Sequence, residues 1–456
     1  MYDVIVLGAG PGGYVAAIKA AQSKLKVAII EKEAVGGVCL NWGCIPTKAM
    51  LKTAKVYKQF MHSEDYGLEF INKSDIKIDL KKIKMRKDKV VAKLTGGVKM
   101  LLKKNGVEIF NGFGTVVDKN TITVNDQTIK TKNIILATGS HPFLPPIKGL
   151  KESFENGYIL TAKEILALDV LPKELTIIGG GVIGIEFATL YSTLGTKVTV
   201  IERSNNILMQ IDHEVRNAYL KLLENENLSI KTSSEVTAIE NNKVTYIYEG
   251  DSHTISADKI LLSIGTKPNL KGLENLNLLT DKSGVITNLK LETNVENVYA
   301  IGDMNGKMML AHVASAEGII AVENILGENK EINYFRVPSG IYGFPEIAYV
   351  GLTEKQAIEQ NKNFKISVFP LSANGKALAE GDSDGFIKII ADKEYGELLG
   401  MHILASNATD MIAEAVTTME LEGTVYELAR AIHPHPTLSE IVVEAAHGVI
   451  DKPIHI

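Results

Sequence analysis

Apolar residues follow a pattern that occurs twice along the chain. The first copy opens with an apolar strand at residues 2–7, and the second opens with one at residues 174–178. In both copies a glycine turn, a helix of small residues and a second apolar strand follow. Each copy closes, after a stretch of strand-like alternation, on an apolar strand that ends in glycine, KNIILATG and DKILLSIG. Strands that alternate with helices are typical of a parallel sheet, so the repeat predicts two nucleotide-binding domains of one design.

Shifts in composition suggest where these domains end. Residues 1–150 hold the first copy, residues 151–267 hold the second, and residues 268–334 return to the first domain with the strand NVYAIGD. The remaining chain, residues 335–456, alternates strand-like runs such as GFIKIIAD with a helical run over residues 407–422. We therefore expect an α/β chain with two Rossmann-like domains and a C-terminal α+β domain.

A strongly basic segment lies at residues 81–104, with ten lysines or arginines and one acid, Asp88. Its apolar residues recur at helical spacing, which predicts an amphipathic helix. These residues are Ile83, Val90, Leu94 and Leu101. A solvated basic face over an apolar stripe is the favoured interpretation, and a contact surface for an acidic partner is the alternative.

Composition limits the classes of function. Hydrophobic residues make up 45% of the chain and charged residues 23%, as in ordinary soluble globular proteins. The net charge of -5 gives no overall attraction to nucleic acid or to anionic membranes. Because the first strand begins at once, we expect no secretory leader, and no apolar run reaches the roughly 18 residues of a membrane span. We therefore expect a cytoplasmic protein, in a compartment where thiols are usually reduced.

Each repeat carries three glycines, spaced G-x-G-x-x-G, directly after its first strand. They are Gly8, Gly10 and Gly13 in the first repeat and Gly179, Gly181 and Gly184 in the second. Such a turn brings backbone amides and a helix N-terminus against a pyrophosphate. One such turn alone could bind nothing, but in both repeats an acid, Glu31 or Glu202, ends the second strand, where it can bind ribose hydroxyls. Glu202 favours NAD over NADP because a carboxylate repels a 2′-phosphate, although the neighbouring Arg203 weakens that inference.

The only two cysteines, Cys39 and Cys44, lie between the second strand of the first repeat and a following helix. Two buried cysteines with no chemical role are one interpretation. A zinc site needs about four ligands, and there is no second cysteine pair. A reversible disulfide fits better, because the short intervening loop permits closure and reopening. Pro46 favours a helix start here, and a helix N-terminus lowers the pKa of a nearby thiol.

The segment GGVCLNWGCIPTK resembles the active-site motif GG-x-C-x-N-x-G-C-I-P-[ST]-K of the pyridine nucleotide–disulfide oxidoreductases. The likeness extends from Tyr2 to the C-terminal HPHPTLSE and is greatest to the dihydrolipoamide dehydrogenases of that family. The resemblance implies that the first dinucleotide domain holds FAD, that the second holds NAD, and that the C-terminal domain forms a homodimer. It also implies that Cys39 is the interchange thiol attacked by substrate and that Cys44 faces the flavin.

The same resemblance implies roles for residues that spacing alone does not single out. Lys48 would lie near the flavin N5 and pair with Glu186, where a cation stabilises a reduced, anionic flavin. Without the resemblance, a solvated lysine and a satisfied helix carboxylate are the favoured interpretations. The remaining residues that the resemblance places in cofactor binding are Gly112, Thr138, Gly139, Gly265, Asp303 and Ala311.

A candidate base lies near the C-terminus, in the segment HPHPTLSE. Thiol–disulfide exchange needs a base that works near neutral pH, and histidine is suited to this. A carboxylate can fix the tautomer of such a histidine. The family pattern H-x-H-P-T-x-x-E implies that His435 is the base and Glu440 its orienting carboxylate, and that they act in the active site of the other subunit.

The chain departs from the family pattern at two places. Residues 266–267, Thr-Lys, replace a frequent arginine, and Gly343 replaces the threonine of Y-T-x-P-E. We expect that neither departure touches the redox residues.

The expected function is that of a dihydrolipoamide dehydrogenase, which needs no metal and oxidises dihydrolipoyl groups with NAD+. Its partners would be lipoyl domains of 2-oxo-acid dehydrogenase complexes or the glycine cleavage H protein. Glutathione reductase is the alternative enzyme, but it would have arginines where Glu202 stands. A mercuric reductase would have a further cysteine pair, and a soluble transhydrogenase would lack the redox cysteines. The alternative from another class is a flavin-bearing scaffold, against which the intact candidate catalytic residues argue.

Overall fold

The opening apolar strand, β1 (Tyr2–Leu7), lies inside a seven-stranded sheet in the computed structural model, which describes residues 1–69 and 72–456. The following elements are α1 (Pro11–Gln22), β2 (Val27–Glu31), α2 (Gly37–Trp42), α3 (Cys44–Met61), α4 (Leu80–Lys104), β3 (Glu108–Asn111), β4 (Thr115–Asp118), β5 (Thr121–Val124), β6 (Gln127–Leu136) and β7 (Ser140–Pro142). β2 and β6 pair in parallel with the two sides of β1. The strand order therefore switches at β1, and sheets of this kind bind ligands at the carboxyl end of such a strand.

The second repeat builds a five-stranded parallel sheet of the same kind. Its elements are α5 (Leu150–Glu155), β8 (Ile159–Leu160), α6 (Ala162–Ile165), β9 (Glu174–Ile178), α7 (Val182–Thr193), β10 (Lys197–Ile201), α8 (His213–Leu223), β11 (Leu228–Lys231), β12 (Ser234–Glu240), β13 (Lys243–Tyr248), β14 (Asp251–Ser256), β15 (Lys259–Leu262) and β16 (Thr266–Pro268). β9 lies between β10 and β15, as β1 lies between β2 and β6. β12, β13 and β14 form a separate antiparallel sheet. The duplication seen in the apolar pattern is therefore a duplication of topology.

The chain then returns to the first sheet. β17 (Val298–Ala300) pairs in parallel with β6, and α9 (Ala311–Ile325) packs against α1. These two helices approach closely because glycines lie in their contact, where a Cβ on Gly318 would lie 2.6 Å from the carbonyl oxygen of Gly12. The return was expected from the strand NVYAIGD, while the domain limits at residues 150, 267 and 334 stay predictions.

The C-terminal region forms a five-stranded antiparallel sheet with helices packed on it. Its elements are β18 (Ser339–Ile341), β19 (Glu346–Gly351), α10 (Glu354–Glu359), β20 (Phe364–Pro370), α11 (Gly375–Glu380), β21 (Phe386–Asp392), β22 (Leu398–Ala405), α12 (Ala408–Met411), α13 (Ala413–Glu420), α14 (Val425–Arg430) and α15 (Glu440–Ile450). The strand order is β18-β19-β22-β21-β20. The predicted fold class, two Rossmann-like domains and an α+β C-terminal domain, is confirmed. The helical run expected at residues 407–422 is present as α12 and α13.

The basic segment forms the single helix α4, as predicted, but its buried stripe differs from the prediction. Leu94 and Leu101 are exposed, whereas Val98 and Leu102 are buried. Apolar residues stand next to each other at several places in this helix, so the sequence allows two neighbouring stripes, and packing selects one. No helix in the described part of the chain combines the length and apolar character needed to cross a membrane.

A buried lysine joins the C-terminal domain to the second repeat. Lys388 on β21 has a fully buried side chain, and its Nζ lies 3.2 Å from Asp212, 2.6 Å from Glu214 and 2.6 Å from Glu354. Burial alone would lower the pKa of Lys388, but these carboxylates outweigh it and hold the pKa above its usual value. Two of these carboxylates and His213 are spaced as metal ligands could be, yet the ammonium lies among them, so the cluster is an ion-pair network.

Replacing this lysine should destabilise the protein strongly. Lys388→Met leaves Asp212 buried without its counter-charge, which typically costs about 3–5 kcal/mol. The midpoint of urea unfolding, followed by circular dichroism, measures the loss. Lys355→Met, which removes an exposed partner of Glu359, is the matched control and should leave the midpoint unchanged. Equal midpoints for the two variants would contradict the structural role of Lys388.

Candidate functional site

Cys39 and Cys44 lie on two successive helices. Cys39 is in α2, Cys44 is the first residue of α3, and Gly43 alone separates the helices. The residues between the cysteines were expected to form a loop, but they are helical through Trp42. Both thiols are free and hydrogen-bond to each other. Two sulfurs so placed can close to a disulfide and reopen.

The two thiols differ sharply in acidity. The hydrogen bond from Cys39 stabilises the Cys44 thiolate and, helped by the Lys48 ammonium, lowers the pKa of Cys44 to about 7 against the opposing effects of burial and of Glu186. The same hydrogen bond, with burial, raises the pKa of Cys39 far above its usual value. The position of Cys44 at the start of α3 also favours an anion. Cys44 is therefore the thiol that ionises near neutral pH, while Cys39 keeps its proton.

Lys48 and Glu186, predicted as a pair, lie in contact. Lys48 follows Cys44 by one turn of α3 and so lies on the same face of that helix. Its Nζ is 2.8 Å from Oε1 and 2.7 Å from Oε2 of Glu186, which belongs to α7 of the second repeat. The Glu186 side chain is 5% exposed and that of Lys48 is 29% exposed. The ion pair therefore holds the ammonium beside the thiols and ties α3 to the second dinucleotide domain.

The first glycine turn requires glycine for steric reasons. Gly8 has a φ of +99°, and a Cβ there would collide with the carbonyl oxygen of Ala137. A Cβ on Gly13 would collide with the carbonyl oxygen of Gly8. Glu31 braces the turn, since its carboxylate accepts hydrogen bonds from the N–H of Ala9 at 2.7 Å and from the N–H of Glu33 at 2.7 Å.

The second glycine turn repeats this arrangement, with a Cβ on Gly184 colliding with the carbonyl oxygen of Gly179. Glu202 accepts hydrogen bonds from the N–H groups of Gly180 and Ser204, both at 2.6 Å. Burial raises the pKa of Glu202, but these hydrogen bonds outweigh it and hold the pKa below its usual value. The carboxylate is therefore ionised at the end of the second strand of this repeat, and the neighbouring Arg203 is exposed.

The helices that follow both turns suit a dinucleotide. Gly10 and Gly181 are the N-caps of α1 and α7, and neither helix has a side-chain cap or an acid in its first turn. Their terminal N–H groups are therefore available to an anion, and a pyrophosphate is the group that such turns hold. A Cβ on Gly181 would meet no atom within 4 Å among the described residues, so the approach to the turn is open.

Residues expected at the first dinucleotide site meet beyond the carboxyl ends of β6 and β17. Thr138 Oγ1 donates to the carbonyl oxygen of Asn269 at 2.7 Å, and Asn269 Nδ2 donates to the carbonyl oxygen of Thr138 at 2.9 Å. Ser140 Oγ donates to Asp303 at 2.6 Å. Asn269 and Ser140 were not predicted, because their partners lie 131 and 163 residues away along the chain.

Glu317 on α9, also not predicted, is fully buried and fixes the turn that carries Asp303. Its carboxylate accepts hydrogen bonds from the Gly302 N–H at 2.5 Å, from Asn305 Nδ2 at 2.9 Å and from the Tyr334 hydroxyl at 2.6 Å. The sequence alone does not indicate this role, because a buried acid with three donors around it can be recognised only in the folded structure.

The other residues predicted to bind a cofactor lie shortly after a strand or at the first position of a helix. Gly112 follows β3, and its N–H donates to the carbonyl oxygen of Glu31 at 2.9 Å. Gly139 and Gly265 follow β6 and β15 closely, with φ of +68° and +106°. Ala311 is the first residue of α9.

The predicted base and its carboxylate are in contact. His435 Nδ1 lies 2.9 Å from Glu440 Oε1, and Glu440 Oε2 accepts a hydrogen bond from the Thr437 N–H at 2.8 Å. Burial raises the pKa of Glu440, but these partners outweigh it and hold the pKa below its usual value. An ionised carboxylate at Nδ1 leaves Nε2 as the free nitrogen of the ring. The His435 side chain is 79% exposed, so this nitrogen faces outward.

A second histidine anchors the same segment and was not predicted. His433 Nε2 lies 2.9 Å from Glu414 on α13, and its Nδ1 lies 3.1 Å from the carbonyl oxygen of Ala431. The largely buried His433 therefore fixes the backbone from which the exposed His435 projects.

The expectation that the Gly343 departure does not touch the redox residues stays a prediction, but the residue next to it in the chain does contact them. Gly343 itself lies against Tyr219, whose hydroxyl a Cβ at position 343 would strike. The residue before it, Tyr342, contacts both Lys48 and Glu186. This segment therefore adjoins the redox site, because the chain directly after β18 packs against Lys48 of α3 and Glu186 of α7.

Two thiols able to exchange with a disulfide, set between two dinucleotide turns, define a disulfide oxidoreductase that exchanges electrons with dinucleotides. The chain belongs to the pyridine nucleotide-disulphide oxidoreductase family, which matches residues 2–318. The dimerisation domain of that family matches residues 337–446. Its cofactors are FAD and NAD, and the two turns described above fit them.

Relatives with the name dihydrolipoyl dehydrogenase match most or all of the chain. That of Mycoplasma genitalium is 41% identical over 98% of this chain and 98% of its own. That of Acholeplasma laidlawii is 52% identical over 71% of this chain and 96% of its own. Among solved structures, LpdA of Mycobacterium tuberculosis covers 98% of this chain and 99% of its own, at 25% identity and a TM-score of 0.90.

In the reduced protein, one thiol proton should be lost near pH 7. Cys44 ionises there, while Cys39 keeps its proton to much higher pH. Thiolate absorbance in the ultraviolet, followed between about pH 5 and about pH 9, measures this ionisation. Cys44→Ser should remove the step near pH 7. Two thiols that titrate together near the ordinary value of about 8.5 would contradict the assigned asymmetry.

Proposed function

We propose that this chain is a dihydrolipoyl dehydrogenase, which oxidises protein-bound dihydrolipoyl groups through a Cys39–Cys44 disulfide and FAD, with NAD+ as the final acceptor. The observation that carries the proposal is the unequal pair of thiols beside the Lys48–Glu186 ion pair, between two dinucleotide turns. The relatives named above support the choice of substrate.

The substrate half-reaction uses His435 and the two cysteines. His435 takes the proton of one dihydrolipoyl thiol, and the resulting thiolate attacks Sγ of Cys39 in the disulfide. The bond between the two protein sulfurs breaks, and Cys44 leaves as the thiolate that its lowered pKa favours. The second substrate thiol then attacks the substrate sulfur of the mixed disulfide. Cyclic oxidised lipoyl leaves, Cys39 takes the proton of this second thiol, and His435 keeps the first proton until it is released to solvent.

The second half-reaction passes two electrons onward. Bound FAD would supply the two-electron chemistry that links the dithiol to NAD+. Lys48, held by Glu186 one turn from Cys44, supplies a fixed positive charge beside the thiolate that forms. Glu202 selects NAD by its ionised carboxylate, and Glu31 serves the ribose of FAD in the equivalent position.

The base acts on the partner subunit in this proposal. His435 points outward from the C-terminal domain, and the neighbouring Ile432 is 99% exposed, an apolar side chain that a dimer contact would cover. The matched dimerisation domain includes these residues and supports a homodimer. The lipoyl-bearing partner would be a lipoyl domain of a 2-oxo-acid dehydrogenase complex or the glycine cleavage H protein. A reducing cytoplasm is the compartment that suits this dithiol chemistry.

Activity assays test the substrate directly. The FAD-loaded protein should reduce NAD+ with dihydrolipoamide, and NADP+ should be a far poorer acceptor because of Glu202. Cys39→Ser should lose this activity almost completely, since no disulfide can form. Activity with NADPH and glutathione disulfide, but none with dihydrolipoamide and NAD+, would instead establish a glutathione reductase.

Subunit complementation tests the placement of the base. Cys44→Ser and His435→Gln should each be nearly inactive, the latter by about 10²–10⁴-fold, as expected for a lost general base. Co-expressed with different affinity tags and purified as a mixed dimer, they should regain activity, because one of the two sites then combines intact cysteines with an intact partner histidine. A mixed dimer as inactive as its parents would show that His435 serves its own chain.

A further inference from the structure

Tyr342, directly after β18 of the C-terminal domain, reaches the ion pair of Lys48 and Glu186. Lys48 Nζ lies 4.4 Å from the centroid of the Tyr342 ring. The backbone N–H of Tyr342 donates to Glu186 Oε1 at 3.1 Å. Three parts of the chain therefore meet at one ammonium: α3 supplies Lys48, α7 supplies Glu186, and the C-terminal domain supplies an aromatic face.

We propose that Tyr342 is a positioning residue for the redox centre, which fixes the Lys48 ammonium beside Cys44 and so favours the Cys44 thiolate. The face of an aromatic ring attracts a cation within about 6 Å. The N–H of the same residue holds one oxygen of Glu186, so that both members of the ion pair are oriented together. The inference rests on the proposed function and deepens it, because it gives the C-terminal domain a part in forming the thiolate.

The hydroxyl of Tyr342 serves a different purpose. It hydrogen-bonds to Thr409, whose own hydroxyl donates to Glu346 at 2.7 Å. Burial raises the pKa of Glu346, which Lys55 partly opposes. The hydroxyl therefore lies on the side of the C-terminal domain, away from the ammonium, which the ring face contacts.

The next residue explains why the backbone of Tyr342 can lie so close to Glu186. Tyr219 of α8, a fully buried side chain, places its hydroxyl where a Cβ on Gly343 would be. Only glycine at position 343 lets α8 and the segment after β18 approach this closely. The second repeat thus determines where Tyr342 can be, and Tyr342 in turn acts on the ion pair.

Few groups chiefly act on the ionisation of Cys44. Cys39 and Lys48 favour its thiolate, and Glu186 opposes it. Without the ring, the partly exposed Lys48 can turn toward solvent, and the carboxylate of Glu186 then acts on Cys44 with less compensation. We expect the pKa of Cys44 to rise by about half a unit, a roughly threefold smaller thiolate fraction below the pKa.

The test follows Cys44 alone. Since the chain has only two cysteines, the holoprotein with Cys39→Ser reports a single thiol, and the serine hydroxyl can still donate to Cys44. In this background Tyr342→Leu should raise the pKa of Cys44, measured by thiolate absorbance against pH. Tyr342→Phe, which keeps the ring face, should leave it within about 0.2 unit. Tyr342→Met is the second variant, should the leucine variant not fold.

Two controls distinguish positioning from general loosening. Tyr349→Leu removes another half-buried ring from the same sheet, one that stacks on His402 rather than on Lys48, and should leave the Cys44 titration unchanged. With Lys48→Met in place, Tyr342→Leu should cause no further shift. The proposal is overturned by an unshifted Tyr342→Leu, by a Tyr342→Phe that shifts as far as the leucine variant, or by an equal shift in Tyr349→Leu. The titration uses no lipoyl substrate, so a failed dihydrolipoamide assay leaves it intact.

Discussion

The hydrogen bond between two unequal thiols, held beside a lysine that a buried glutamate fixes, is the interaction on which the rest of the site depends. It favours the thiolate of Cys44, which forms near neutral pH, and keeps the proton on Cys39. The start of α3 supplies a helix N-terminus, and Lys48 one turn later supplies the ammonium. Because Glu186 comes from the second repeat, this chemistry exists only when both dinucleotide domains are folded and docked.

The dinucleotide turns obey a steric constraint that the chain satisfies twice. In each repeat the last glycine of the motif lies against the carbonyl oxygen of the first, so a helix begins directly at the sheet edge. In each repeat an acid at the end of the second strand accepts N–H groups of its own turn. The acids therefore shape the turns by holding their backbone N–H groups.

Local spacing predicted much of this site, because several of its parts are short motifs. The glycine turns, the two cysteines and the contact of His435 with Glu440 all lie within a few residues or one strand–helix–strand unit. The contact of Lys48 with Glu186 spans 138 residues and was expected only from the family resemblance. Tyr342 approaches Glu186 across 156 residues, and no periodicity in the sequence indicates such a meeting. The buried face of α4 was predicted at the wrong residues for a related reason. Two neighbouring apolar stripes run along this helix, and only its packing determines which of them is buried.

The most direct test of the account is anaerobic reduction of the FAD-loaded protein with one equivalent of dihydrolipoamide. Cys44 thiolate next to the flavin should give a long-wavelength absorbance while the main flavin band is kept, and Cys44→Ser should lack that absorbance. Long-wavelength absorbance that survives in Cys44→Ser, or a flavin band that bleaches equally in both proteins, would contradict the central claim that the electrons pass through this thiol pair.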